Sequence, residues 1–151
     1  MGPFSFMRLV LSRTLRTLGD TEALAHEVLP LLPRGAVVAL QGPLGAGKTT
    51  LVRFLAQALG FRGRVTSPTY TLIHTYPTPE GPLVHADLYR LQDPKLLLSQ
   101  LLSAGEEARL ILVEWGEPEA LEAGFLLRLA PEGEARRAEL WQLDPGEEEG
   151  V

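Results

Sequence analysis

The eight residues GPLGAGKT at positions 42–49 constrain the fold of this 151-residue chain more than any other segment. They fit G-x-x-x-x-G-K-[ST], a pattern in which glycines let backbone N–H groups converge on phosphate oxygens at the amino end of a helix. Such a loop needs a buried strand before it and a helix after it. Before it, Gly35 leads into the apolar run Ala36-Val37-Val38-Ala39-Leu40, short and β-branched enough for a strand covered on both faces. After it, Leu51, Phe54, Leu55, Ala58 and Leu59 recur at three- and four-residue spacing, and Gly60 supplies a stop. The spacing predicts strand, glycine loop and helix.

Within the loop each position has its own task. Gly42, Gly45, Ala46 and Gly47 form the backbone cradle, and Lys48 is placed to meet the β- and γ-phosphates of ATP or GTP. The Thr49 hydroxyl is placed for Mg²⁺, with Thr50 beside it at the helix start. Pro43 removes one backbone N–H, but at a variable position of the pattern.

The remaining elements follow from periodicity. Asp20 reads as the N-cap of a helix whose Leu24, Val28, Leu31 and Leu32 share a face, with Pro30 or Pro33 bending or ending it. Residues 69–76 and 83–89 read as two strands joined by a turn over 77–82, and Pro94 follows Asp93 into a leucine-rich helix over 94–102. Leu110-Ile111-Leu112-Val113 is a buried strand ending at Glu114, and 125–129 with 138–143 form a last hairpin around Pro131-Glu132-Gly133. The expected architecture is α/β: a single P-loop NTPase-like domain over 1–145, its mixed central sheet flanked by helices, followed by an acidic, frayed tail over 146–151.

Composition narrows the partners. With 45% hydrophobic and 22% charged residues the chain is ordinary globular material, and a formal net charge of −5 gives no footprint for unaided binding to a nucleic-acid backbone. There is no cysteine, and His26, His74 and His85 lack a second histidine at metal-ligand spacing, so no zinc site is expected. Arginines interrupt the apolar residues of 1–18, which predicts no membrane segment and a cytoplasmic protein.

Beyond the loop, the chain resembles the bacterial TsaE (YjeE) family. The likeness is carried by GPLGAGKTTLVR at 42–53, TSPTYTL at 66–72, HADLYRLQDP at 85–94 and LVEWGE at 112–117, in the family's order and spacing. It implies an ATPase that supports formation of threonylcarbamoyladenosine in tRNA together with TsaD and TsaB, touching tRNA only through that complex. Two departures stand out: Pro43 where relatives commonly carry an acid, and KLLLSQLLSAGEEAR at 95–109 in place of a more acidic helix.

Hydrolysis needs positioning, a metal and charge stabilisation at the γ-phosphate. Glu114, at the carboxyl end of an apolar strand, is expected at the metal with Thr49, although a surface strand end is the simpler alternative. The resemblance makes Asp87 a second functional acid, for water or the outer coordination of the metal, unless it pairs with Arg90. Lys48, Asp87 and Glu114 thus form the expected catalytic set. Thr66, Ser67 and Thr69 resemble a switch segment that senses the γ-phosphate, or they cap their own turn. Trp115 either shields the site or packs in the core, while Tyr89 and His85 are expected to pack. Relatives carry an arginine near the nucleotide where Arg136 stands, but Arg137 beside it makes an exposed pair the default. A small-molecule kinase and a nucleotide-sensing docking module remain as competing functions.

Overall fold

A computed structural model of the chain describes residues 6–43, 45–65, 73–87, 107–114 and 123–144. Its strands are β1 (Phe6–Leu15), β2 (Ala36–Gln41), β3 (Ile73–Tyr76), β4 (Leu83–Asp87), β5 (Leu110–Glu114), β6 (Phe125–Glu132) and β7 (Ala135–Asp144). Helix α1 spans Leu18–Val28 and α2 spans Lys48–Ala58. The strands form one sheet in the order β1-β7-β6-β2-β5-β4-β3. Its centre, β4-β5-β2-β6, is parallel, and β3, β7 and β1 join antiparallel on the two flanks. The sheet is therefore mixed, as the sequence predicts.

Parallel strands buried on both faces have no polar alternation to spare, which is why β2 and β5 are almost continuously apolar. One face carries Val38, Leu40, Leu110, Leu112 and Leu127 against Leu24 and Val28 of α1 and Leu51 and Leu55 of α2. The other face gathers Ala39, Val84, Ala86, Ile111, Val113 and Leu126. Among the described residues, no helix is long and apolar enough to cross a membrane.

Several local expectations are corrected. Asp20 is not the N-cap of α1. Thr17 is, and the two form a reciprocal capping box: the Asp20 N–H donates to Thr17 Oγ1 at 3.1 Å, while Asp20 Oδ2 accepts from the Thr17 N–H at 3.1 Å. Leu31 falls in the 3₁₀ turn that Pro30 imposes after Val28, and it is exposed while Leu32 is buried. On α2 the fully buried stripe is Leu51, Val52, Leu55 and Ala56, with Phe54 and Ala58 only partly covered. Strand β1 falls in a segment the sequence leaves unassigned. Its register with β7 slips between Leu9 and Leu11, and that irregularity erases the alternation by which a strand is recognised.

The last hairpin is longer than expected, since β6 and β7 pair out to Glu132 and Ala135 across a two-residue turn. Pro131 is tolerated inside β6 because pairing with β2 has already ended at Arg128. The hairpin of β3 with β4 agrees with expectation where it is described. The helix expected over 94–102 and the tail over 146–151 lie outside the described residues.

The capping box gives a first prediction. Thr17→Ala removes one N–H acceptor at the start of α1 and is expected to cost about 1 kcal/mol, seen as a fall in melting temperature of roughly 2–4 °C. The backbone N–H of Arg16, and then that of Thr17, holds the Asp20 carboxyl below its ordinary value. A lowered folded value means that this stabilisation is complete above the ordinary aspartate range and is lost as pH falls through the folded value. Thr17→Ala keeps both of those backbone donors, so its deficit, the lost Oγ1 acceptor, should be present at neutral pH with Asp20 still ionised.

Candidate functional site

The carboxyl ends of β2, β4 and β5 lie side by side at one end of the sheet's strands, the position at which open α/β sheets bind ligands. From β2 the chain turns through Gly42 directly against β6. A Cβ on Gly42 would lie 2.6 Å from the Leu129 carbonyl oxygen and 3.2 Å from the Ala46 Cβ, so this position admits only glycine without displacing backbone. The Ala46 N–H then bonds the Pro43 carbonyl at 3.0 Å, and Gly47 enters α2 at φ 100°, in the left-handed region. Gly42→Ala is expected to push the loop off β6, costing about 1–3 kcal/mol by the scale of overpacking. A melting curve would show the loss; a wild-type melting temperature would contradict the close approach.

Because Lys48, Leu51, Val52 and Leu55 share one stripe of α2, the lysine is turned inward with the buried leucines and is only 7% exposed. Its Nζ donates to the Gly42 carbonyl and lies 3.6 Å from Glu114 Oε1. Glu114 is 5% exposed at the end of β5. Its other oxygen, Oε2, accepts from Nε2 of His85, which stands on β4 and is wholly buried. At an effective dielectric constant of about 20, attraction across 3.6 Å is on the order of 4–5 kcal/mol before desolvation is subtracted. The basic group is thus held between a loop carbonyl and a buried carboxylate.

Asp87 is opposite Glu114 in the β4/β5 register and, less deeply buried, lines the same cleft. That cleft has a volume of about 540 Å³ and is bounded by Gly45, Ala46, Gly47, Lys48, Thr49 and Thr50 on the loop side. Arg16, Thr17, Leu18 and Thr21 bound it at the start of α1, with Leu129 and Arg136 from β6 and β7. Gly42 does not line the cleft; it acts through its carbonyl. Glu114 is no exposed strand end, and Asp87, Glu114, Lys48 and Thr49 come together although their segments are far apart in sequence. Thr66, Ser67, Thr69, Trp115, Tyr89 and Arg90 lie outside the described residues.

Residues 15–138 match the family model for threonylcarbamoyl adenosine biosynthesis protein TsaE. The chain belongs to the TsaE family. It is 42% identical over 113 residues to the tRNA threonylcarbamoyladenosine biosynthesis protein TsaE of Aquifex aeolicus, covering 74% of this chain and 80% of that one. It is 45% identical over 97 residues to the Streptomyces coelicolor protein of the same name, covering 62% and 66%. Among solved structures, Bacillus subtilis YdiB superposes with a TM-score of 0.69 at 25% identity, covering 91% of this chain and 88% of that one. The chain is thus a TsaE-family protein of threonylcarbamoyladenosine biosynthesis, with the mixed α/β sheet predicted for it.

Two residues of this TsaE-family site carry more than the sequence suggests. Arg136 is exposed, as expected beside Arg137, but the two do not share a role: Arg136 Nη2 donates to the Gly45 carbonyl at 3.1 Å, whereas Arg137 turns to Glu132 at 2.9 Å and Ser12 at 3.0 Å. Successive residues of a strand face opposite sides, so alternation along β7 was the available signal. His85 is the second. It lies two residues before Asp87 on the same face of β4, a spacing that points both side chains toward the helical layer.

Proposed function

We propose that this chain binds ATP with Mg²⁺ in the loop-lined cleft and hydrolyses it to support threonylcarbamoyladenosine formation in tRNA, in the cytoplasm, acting with TsaD and TsaB. The observation that carries the reading is the buried meeting of Lys48 with Glu114 at the amino end of α2. A cation parked between a carbonyl and a carboxylate is one that a triphosphate can capture.

On this reading the phosphates run along the backbone of 45–50, where α2 has no side-chain cap and no acid in its first turn to compete with them. Lys48 exchanges Glu114 for the β- and γ-phosphates, and Arg136 steadies the loop from the far side. The nucleoside extends toward Arg16 and Leu18, whose 63% exposed side chain offers an apolar surface at the cleft mouth. Among the described residues, no group of three or more His, Cys, Asp or Glu side chains is placed to hold a metal without help. Mg²⁺ fits the donors that are present, because it keeps several waters and needs only the Thr49 hydroxyl and a carboxylate beside phosphate oxygens. With Lys48 on phosphate, Glu114 Oε1 would be free to hold the metal together with Thr49, and Asp87 would orient water. When bound, the metal supplies charge neutralisation at the phosphates.

Product analysis tests the reading. The chain, with TsaD and TsaB, is expected to release inorganic phosphate from ATP in a Mg²⁺-dependent way, with no phosphorylated small molecule formed. A phosphorylated metabolite appearing in step with ADP would replace hydrolysis by a kinase.

A further inference from the structure

His85 is a histidine sealed inside an apolar strand, and packing alone does not explain it. Val84 and Ala86 beside it are also wholly buried, and an aliphatic residue at position 85 would fill the space without a polar atom to satisfy. Its Nε2 faces Glu114 Oε2, whereas its Nδ1 is buried with no hydrogen-bond partner among the described residues. A carboxylate oxygen can only accept, so the ring nitrogen facing it must carry the proton. Leaving Nδ1 unprotonated buries a lone pair there rather than an unpaired N–H.

The two oxygens of Glu114 are consequently divided. Oε2 is held by His85 from β4, and Oε1 is left facing Lys48. A carboxylate held at one oxygen cannot swing to chelate Lys48 with both, and it cannot rotate out of the cleft when Lys48 leaves. We propose that His85, as its Nε2–H tautomer, is a positioning residue that fixes Glu114 so that Oε1 alone faces the loop, before and after Lys48 moves to phosphate. The part of this role that concerns turnover rests on the hydrolysis reading above; the tautomer and the contact do not.

The tests use the full-length chain. In two-bond ¹H–¹⁵N spectra at a single neutral pH, assigned by comparison with His85→Gln, His85 should give the Nε2–H pattern, and its signals should move in Glu114→Gln. An Nδ1–H pattern, or signals unmoved in Glu114→Gln, would overturn the proposal. Phosphate release with TsaD and TsaB then probes positioning. The His85→Gln amide can reach the place of Nε2 and should keep turnover within about threefold, whereas the shorter His85→Asn should lose roughly 10–100-fold with nucleotide affinity nearly unchanged. Both variants bury an amide of similar polarity, so equal losses in the two would mean a merely structural histidine and would sink the positioning role. If the wild-type chain releases no phosphate, the hydrolysis reading fails, and the spectra still decide whether His85 holds Glu114.

Discussion

Replacing Lys48 with alanine is expected to lower phosphate release by roughly 10²–10³-fold, the range seen when one preorganised donor to developing charge is removed. Nucleotide affinity should fall as well, because each hydrogen bond from a charged donor contributes about 1.5–3 kcal/mol. The same substitution acts on the nucleotide-free protein. Glu114 stays buried with His85 as its remaining partner, and removing one member of a buried pair costs on the order of 3 kcal/mol. A melting temperature roughly 6–12 °C below wild type should follow. Calorimetry and nucleotide titration on one preparation would check both, and full affinity in Lys48→Ala would remove the lysine from the phosphate site.

Glu114→Gln should divide binding from turnover. On the proposed reading, nucleotide has to draw Lys48 away from a carboxylate 3.6 Å distant, so part of the phosphate's attraction is spent on breaking that pair. The glutamine variant has no such pair to break. Without Mg²⁺, where the metal contact proposed for Glu114 plays no part, it is expected to bind ATP at least as tightly as wild type; with Mg²⁺ it should release phosphate roughly 10²–10³-fold more slowly. Without nucleotide, Lys48 is left buried against a neutral amide, so the variant should melt lower than wild type and regain more stability when ATP is added. Weaker Mg²⁺-free binding in Glu114→Gln would mean that Lys48 does not have to leave the carboxylate to reach phosphate.

These two residues also show what sequence can and cannot reveal. The glycine loop is legible because its requirements are local: a turn close to backbone at Gly42, a left-handed entry at Gly47, and Lys48 on the same helical stripe as Leu51 and Leu55. Glu114 is legible as a strand end, but its burial is not, because burial depends on how β5 is inserted between β2 and β4. The function of His85 becomes readable only when β4 is paired with β5, a strand more than twenty residues further on. Before that pairing is known, a lone histidine in an apolar run is indistinguishable from packing.

The amino-terminal third follows the same rule. Thr17 and Asp20, three residues apart, form one reciprocal motif, so taking Asp20 as the cap puts the start of α1 a few residues late. Strand β1 escapes notice because its pairing is with β7, at the far end of the chain, and because its irregularity lies in its most apolar stretch. Arg136 reaches the loop from the same β7. The parts of the site supplied by β1, α1 and β7 are therefore non-local, and they bound the cleft on the side where the nucleoside is proposed to lie.

The proposed function requires that hydrolysis at Lys48 and Glu114 support repeated rounds of tRNA modification. The most direct measurement is threonylcarbamoyladenosine formation by TsaD and TsaB with this chain, the threonylcarbamoyl donor being supplied ready-made so that added nucleotide serves this site alone. ATP should support many rounds, and both a β,γ-non-hydrolysable analogue with wild-type chain and ATP with Glu114→Gln should stop after about one. Repeated rounds at the wild-type rate under either condition would contradict the account.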